Sequence, residues 1–239
     1  MRKRWHISVL AILLSALTIN AQSIYVGGVF PTMDHSGTLR NKLDYSLYYF
    51  LAFPLVNFVK PDFSKDAYFH LFYSEQAMTY KATNKFSLTG SYVYQRSNAV
   101  YDNYVNEKRF YIQVKYKQSI KKINLTHRLR FDGRFVQNRL TNEAPFTHRV
   151  RYFIAMDAPI KEKFYFTAYE EAFFNTFANA VNVYSENWVY AAIGKKINEK
   201  NKMELGILYV TWNFGEQNWF HQNYFQLTWI SHLNFRKKE

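Results

Sequence analysis

From Ile123 to Asn175, apolar and polar positions alternate through three consecutive segments, with the charges confined to one side. In Ile123 to Asn138, one face carries Ile123, Leu125, His127, Leu129, Phe131 and Phe135. The other carries Asn124, Thr126, Arg128, Arg130, Asp132, Arg134 and Asn138. The second segment sets Phe146, His148, Val150, Tyr152, Ile154 and Met156 against a face with Arg149 and Arg151. The third sets Phe164, Phe166, Ala168, Ala172 and Phe174 against Tyr165, Thr167, Tyr169, Glu171 and Asn175. A period of two is that of an extended strand, because successive side chains leave opposite faces. These segments exceed the roughly 5–6 residues usual in soluble strands and suit a tilted bilayer crossing, which takes about 9–11. The alternation predicts an all-β protein: a transmembrane antiparallel up-and-down β-barrel of about 10–12 strands, apolar outside and arginine-lined within.

Elsewhere the same code is read with varying clarity. Lys85 to Arg96 puts Phe86, Leu88, Tyr92 and Tyr94 outward, and Glu107 to Ser119 puts Phe110, Ile112, Val114 and Tyr116 outward against Arg109. Ala67 to Tyr80 reads as a strand with Phe69, Leu71 and Tyr73 outward, its phase slipping near Glu75 as a bulge would cause. Leu43 to Phe53 is an aromatic strand of uncertain facing, ended by Pro54, and Pro31 to Gly37 is turn-rich. Trp188 to Ile197, Met203 to Phe214 and Phe220 to Phe235 complete ten strands from Leu43 onward. Ser23 to Phe30 leaves the total at ten or twelve. Short turns fall at one end and longer polar loops at the other, the arrangement expected of periplasmic turns and extracellular loops.

The N-terminus changes the picture of location. Arg2, Lys3 and Arg4 precede the apolar run Ile7 to Ile19 and the small Ala21, the layout of a cleaved secretory leader over residues 1–21, with 22–239 as the barrel. Aromatic residues make up 20% of the chain while mean hydropathy is only −0.35, which suits outward aromatics alternating with a polar lumen and disfavours a dry two-sheet core. The absence of cysteine excludes disulfides and thiolate metal sites. The net charge of +13, lowered by three if the leader is removed, stays basic. Many lysines lie at turns, and nucleic acid is not an expected partner; membrane lipids are.

If neighbouring strands pair through these turns, a lumenal ladder forms from Arg109, Arg128, Arg130, Asp132, Arg134, Arg149, Arg151 and Glu171. Arg134 is then expected opposite Arg149 or Arg151, Glu171 beside those arginines, and Arg109 against Asp132. Guanidinium forks stay charged and bind carboxylates bidentately, so the ladder reads either as a plug of mutual ion pairs or as an anion-selecting filter. Arginines outnumber acids within it. The alternative class is an outer-membrane lipid hydrolase, which needs a serine and a histidine within hydrogen-bond reach on one wall. His127 and His148 fall on the lipid face, His232 and Ser231 are adjacent and so face opposite ways, and His70 and Ser74 share a face but stand too far apart. A non-enzymatic barrel without cofactor or metal is expected, either a scaffold or a narrow anion-preferring channel.

The runs Thr126-His-Arg-Leu-Arg, Phe146-Thr-His-Arg-Val-Arg-Tyr and Tyr165-Phe-Thr-Ala-Tyr-Glu-Glu-Ala-Phe-Phe-Asn resemble the family called domain of unknown function 2490. The resemblance implies a small Gram-negative outer-membrane barrel and no activity. This sequence departs from the pattern in having Trp188 where an arginine usually opens the strand after the long loop, which leaves closure of the polar belt open there. The apolar face of Phe225, Leu227, Trp229, Leu233 and Phe235 also looks like the C-terminal signal read by outer-membrane assembly machinery. Location in the bacterial outer membrane follows as the expectation.

Overall fold

The computed structural model describes residues 23–57, 70–98, 104–177, 180, 182–213, 215 and 219–234. The proposed leader, the loop with Pro61 and Asp62, Phe69, Phe214, Phe235 and the charged tail lie outside these residues. Eleven strands close into one barrel: β1 Ser23–Arg40, β2 Leu43–Asn57, β3 Leu71–Lys81, β4 Phe86–Ser97, β5 Val105–Ile120, β6 Ile123–Val136, β7 Phe146–Pro159, β8 Phe164–Asn175, β9 Tyr184–Lys196, β10 Asn201–Asn213 and β11 Trp219–Asn234. Neighbours along the chain pair antiparallel, and β1 closes on β11 in parallel, from Ser23 beside Trp219 to Thr38 beside Asn234. The count corrects the even parity of ten or twelve. With eleven strands, the first and last run the same way, so the seam cannot be antiparallel.

The extra strand was hidden by residues that ordinarily signal turns. Strand β1 runs through the Pro31 to Gly37 stretch, and its ladder to β2 has no pair at Phe30 and Pro31, where the proline ring supplies no N–H. A register shift between Gly27 and Gly28 lies opposite Pro54, so β2 continues through this proline to Asn57. A Cβ on Gly28 would lie 2.1 Å from the Phe53 carbonyl oxygen. Gly37 lies under the Tyr45 ring, where a Cβ would meet the ring at 2.4 Å and the Leu233 oxygen at 2.3 Å. Both glycines mark close approach of backbone or ring.

The alternation over β4 to β8 holds. Phe86, Leu88, Phe110, Ile112, Leu129, Phe131 and Phe146 are exposed on the outer wall, while Thr89, Arg109, Arg130, Asp132 and Arg149 are buried inside. Cross-strand aromatic pairs stand on the outer wall toward both ends, with Phe86 and Tyr116 4.7 Å apart near the short turns and Phe135 and Phe146 5.2 Å apart near the long loops. Such pairs are the unit of sheet stabilisation.

Strand β3 reverses the expected facing. Leu71 and Tyr73 are buried in the lumen together with Glu75 and Ala77, and the pairing with β2 and β4 runs without a shift, so there is no bulge at Glu75. The physical reason is that this part of the lumen is aromatic. Phe50 stacks between Phe30 and Tyr73, each at 4.5 Å, with Trp188 edge-on at 6.0 Å and Tyr224 against Phe30. Leu208, Val210 and Tyr190 complete an apolar core on the side of β9 to β11, β1 and β2. The lumen thus has an aromatic half and a charged half.

Candidate functional site

The charged half is assembled by register. Asp132 pairs with Arg149, Arg130 with Arg151 and Arg109 with Arg134, while Arg134 pairs across β7 with Thr147. The expectation that Arg134 stands opposite Arg149 or Arg151 is therefore wrong, because the Gln137 to Pro145 connection sets a register two residues away from that pairing. The other expected meetings occur. Arg151 contacts Glu171 at 2.8 Å and Asp132 at 3.7 Å, and Arg109 reaches Asp132 at 3.9 Å.

Three acids missing from the sequence-based ladder supply most of its counter-charge. Glu107 takes Arg134 on both oxygens, at 2.7 and 2.9 Å, and Arg109 at 2.7 Å. Glu75 accepts hydrogen bonds from Tyr73 and Tyr111, each at 2.6 Å, and an ion pair from Arg130 at 3.3 Å. Glu186 binds Arg149 at 3.1 Å and accepts from the indole N–H groups of Trp188 and Trp212. Glu171 also holds Arg128 at 2.6 Å. The belt extends to β9 through Glu186, so Trp188 is no gap; its indole anchors the acid that continues the belt.

Each arginine of the ladder has at least one carboxylate partner, six guanidiniums against Glu75, Glu107, Asp132, Glu171 and Glu186. Aromatic faces hold the guanidinium planes as well: Arg130 lies 3.7 Å over Tyr111, Arg128 4.0 Å over Phe153, and Arg151 4.3 Å over Phe173. Gln113 accepts from Arg130 at 3.0 and 2.8 Å. These contacts desolvate and orient the arginines, and the arrangement is one of bracing. A cavity of about 1060 Å³ follows the charged wall, and most of its lining belongs to the short-turn half. It reaches Lys81 and Lys117 at that end and Ser97 and Val136 at the other.

The histidines separate into two groups. His127 and His148 face outward as expected, 2.9 Å from the Tyr152 hydroxyl and 2.7 Å from the Thr176 hydroxyl. His70 precedes β3 and turns into the lumen, 3.1 Å from Gln222, whereas Ser74 faces out and accepts from Gln76, so the two do not share a face. Burial pushes the His70 pKa down to about 4, keeping the ring neutral. The seam supplies what sequence reading missed. His35 Nδ1 stands 2.7 Å from Ser231 Oγ and its Nε2 2.8 Å from the Tyr45 hydroxyl, on the outer wall; on the inner side Ser36 lies 3.1 Å from His232. Only barrel closure brings His35 and Ser231 together. Among the described residues, no three His, Asp or Glu side chains converge as a metal site would require.

Fold and belt together define a closed β-barrel whose lumen is braced by arginine–carboxylate pairs. The chain belongs to the family described as protein of unknown function (DUF2490), whose sequence model matches residues 60–221. The match contains every arginine and acid of the belt, while β1 and β2 precede it. No curated protein matches the sequence.

Proposed function

We propose that this chain is an integral outer-membrane β-barrel of a Gram-negative bacterium, non-enzymatic, with short turns toward the periplasm, and that the paired belt closes its mid-lumen. The membrane placement is supported by an outer wall exposing Phe225 at 66%, Leu205 at 64% and Ile112 at 58%, with aromatic pairs toward both ends. Exposed apolar surface on this scale needs lipid or a partner to cover it. Lipids are thus its surroundings, and the assembly machinery would meet the apolar face of β11 during insertion.

The single observation that carries the closed lumen is that all six belt arginines are ion-paired. Single-channel recording in planar bilayers tests it. Wild type is expected to pass no steady current, and Glu171→Ala, which frees Arg128 and Arg151, to give anion-preferring openings. Steady anion-selective current through wild type, losing its selectivity in Arg151→Ala, would instead make the belt a filter. The cavity lining that reaches both rims favours this channel reading.

A lipid hydrolase is favoured by one observation, the contact of Ser231 with His35 and of His35 with Tyr45. A neutral phenol in the third position gives a protonated imidazole no charge partner, unlike a carboxylate. Wild type and Ser231→Ala are expected to show the same background release of fatty acid from phospholipid in mixed micelles. Release by wild type that vanishes in the variant would assign the seam a catalytic role.

A further inference from the structure

Beyond the belt, the cavity is lined by charged side chains that no belt residue uses, among them Lys115 and Lys117 on β5, Asp34 on β1 and Asp157 on β7. Lys115 on β5 and Asp34 on β1 are both half-buried and both line the short-turn half of the cavity. Neither makes an ion pair or hydrogen bond among the described residues, and neither appears among the polar atoms sealed from solvent without a partner. Their heads therefore look into the cavity.

Register explains why Lys115 is left over. It pairs directly with Arg128 across β5 and β6, and like charges in that position repel. Glu171 is claimed by Arg128 at 2.6 Å and by Arg151 at 2.8 Å, so no belt acid serves the lysine. Lys117 adds a further positive charge on the same wall, nearer the mouth, and likewise makes no ion pair among the described residues. Lys81, also at the mouth, is already paired with Asp44 at 2.7 Å. The lysines of β5 thus stand between unpaired negative charge on β1 and on β7, where Asp157 also lines the cavity without an ion pair among the described residues, so the chamber carries both signs.

We propose that the short-turn half of the lumen binds a small zwitterion, its anionic end on Lys115 and Lys117 and its ammonium end on Asp34. A plain anion would satisfy one wall and be repelled by the other. The site rests on the barrel reading only in requiring that the lumen open to water at the short-turn end. The shared chemistry is a phosphate or carboxylate joined to an amine, whether free in solution or carried as a lipid head group.

The full chain refolded in detergent is titrated by calorimetry with phosphoethanolamine, with inorganic phosphate and with ethanolamine. Phosphoethanolamine is expected to bind about tenfold or more tightly than either half, and Lys115→Met and Asp34→Asn are each expected to weaken it by about tenfold. Asp34→Asn should bring phosphoethanolamine down to the level of phosphate. Equal binding of phosphate and phosphoethanolamine by wild type would overturn the proposal, as would absence of binding by all three. Dihexanoyl phosphatidylethanolamine identifies the source: tighter binding than the free compound supports a head group reaching in, weaker binding a free solute.

Because the chain has no cysteine, Lys115→Cys offers one thiol to a charged methanethiosulfonate reagent. Labelling that phosphoethanolamine slows supports the site. Labelling without any zwitterion binding sinks the site and leaves the barrel reading intact. A folded variant that is not labelled shows a lumen closed at that end, and sinks both.

Discussion

Glu107→Ala is expected to destabilise the folded barrel by about 3–5 kcal/mol, the cost of leaving a buried charge without its partner. Glu107 is 4% exposed and is the shared acceptor of Arg109 and Arg134, with both oxygens used by the Arg134 fork. Truncation leaves two guanidiniums on adjacent strands at a directly paired position, one of them 3% exposed. Arg109 then has Asp132 as its one remaining carboxylate, at 3.9 Å, beside the Gln95 amide oxygen at 3.4 Å. The measurement is the urea dependence of folding into lipid vesicles, followed by tryptophan fluorescence. The comparison is Asp44→Ala, which breaks the rim pair with Lys81, whose side chain is 40% exposed; that change is expected to cost no more than about 1 kcal/mol. If the two variants lose the same small amount, water reaches the belt and its pairs are not bracing. The belt need not be a net source of stability for this to hold, since the penalty lies in breaking one partner of a desolvated set.

Phe50→Ala is expected to cost about 3–5 kcal/mol by the same assay, the range for emptying a buried aromatic site. Phe50 is 4% exposed, nearly parallel to Tyr73 at an interplanar angle of 7°, and stacked on Phe30 from β1. The ring ties three consecutive strands of the aromatic half together beside Trp188. Phe50→Leu, which keeps much of the volume, is expected to lose less than half as much. A loss below about 1 kcal/mol for the alanine variant would mean that neighbouring rings collapse into the space.

These two residues also mark where the sequence could and could not be read. Strands β4 to β8 were legible because their lumen face is polar and their outer face apolar, so alternation alone fixed the facing. In β1, β2 and β3 the lumen face is itself aromatic, and the contrast disappears. The rule that apolar means lipid puts Leu71 and Tyr73 outward, whereas they pack inside with Phe50 of β2. Glu107 is within reach of the rule: it opens the segment read as Glu107 to Ser119 and shares parity with Arg109, which places it in the lumen. The outward phase read for β3 hides Glu75, and Glu186 precedes the strand read from Trp188. The proximity of His35 to Ser231, 196 residues apart, depends on barrel closure, which no local pattern encodes. The parallel seam was invisible for the same reason, and Pro31 and the glycines of β1 disguised the strand that makes it.

The seam has a consequence for the two ends of the chain. With eleven strands, Ser23 stands at the long-loop rim and Asn234 at the short-turn rim, so the wall begins at one end of the barrel and finishes at the other. An even-stranded barrel opens and closes its wall at the same rim; this one uses both rims, so a tag fused directly to Ser23 and one fused directly to Asn234 would be held a full barrel height apart.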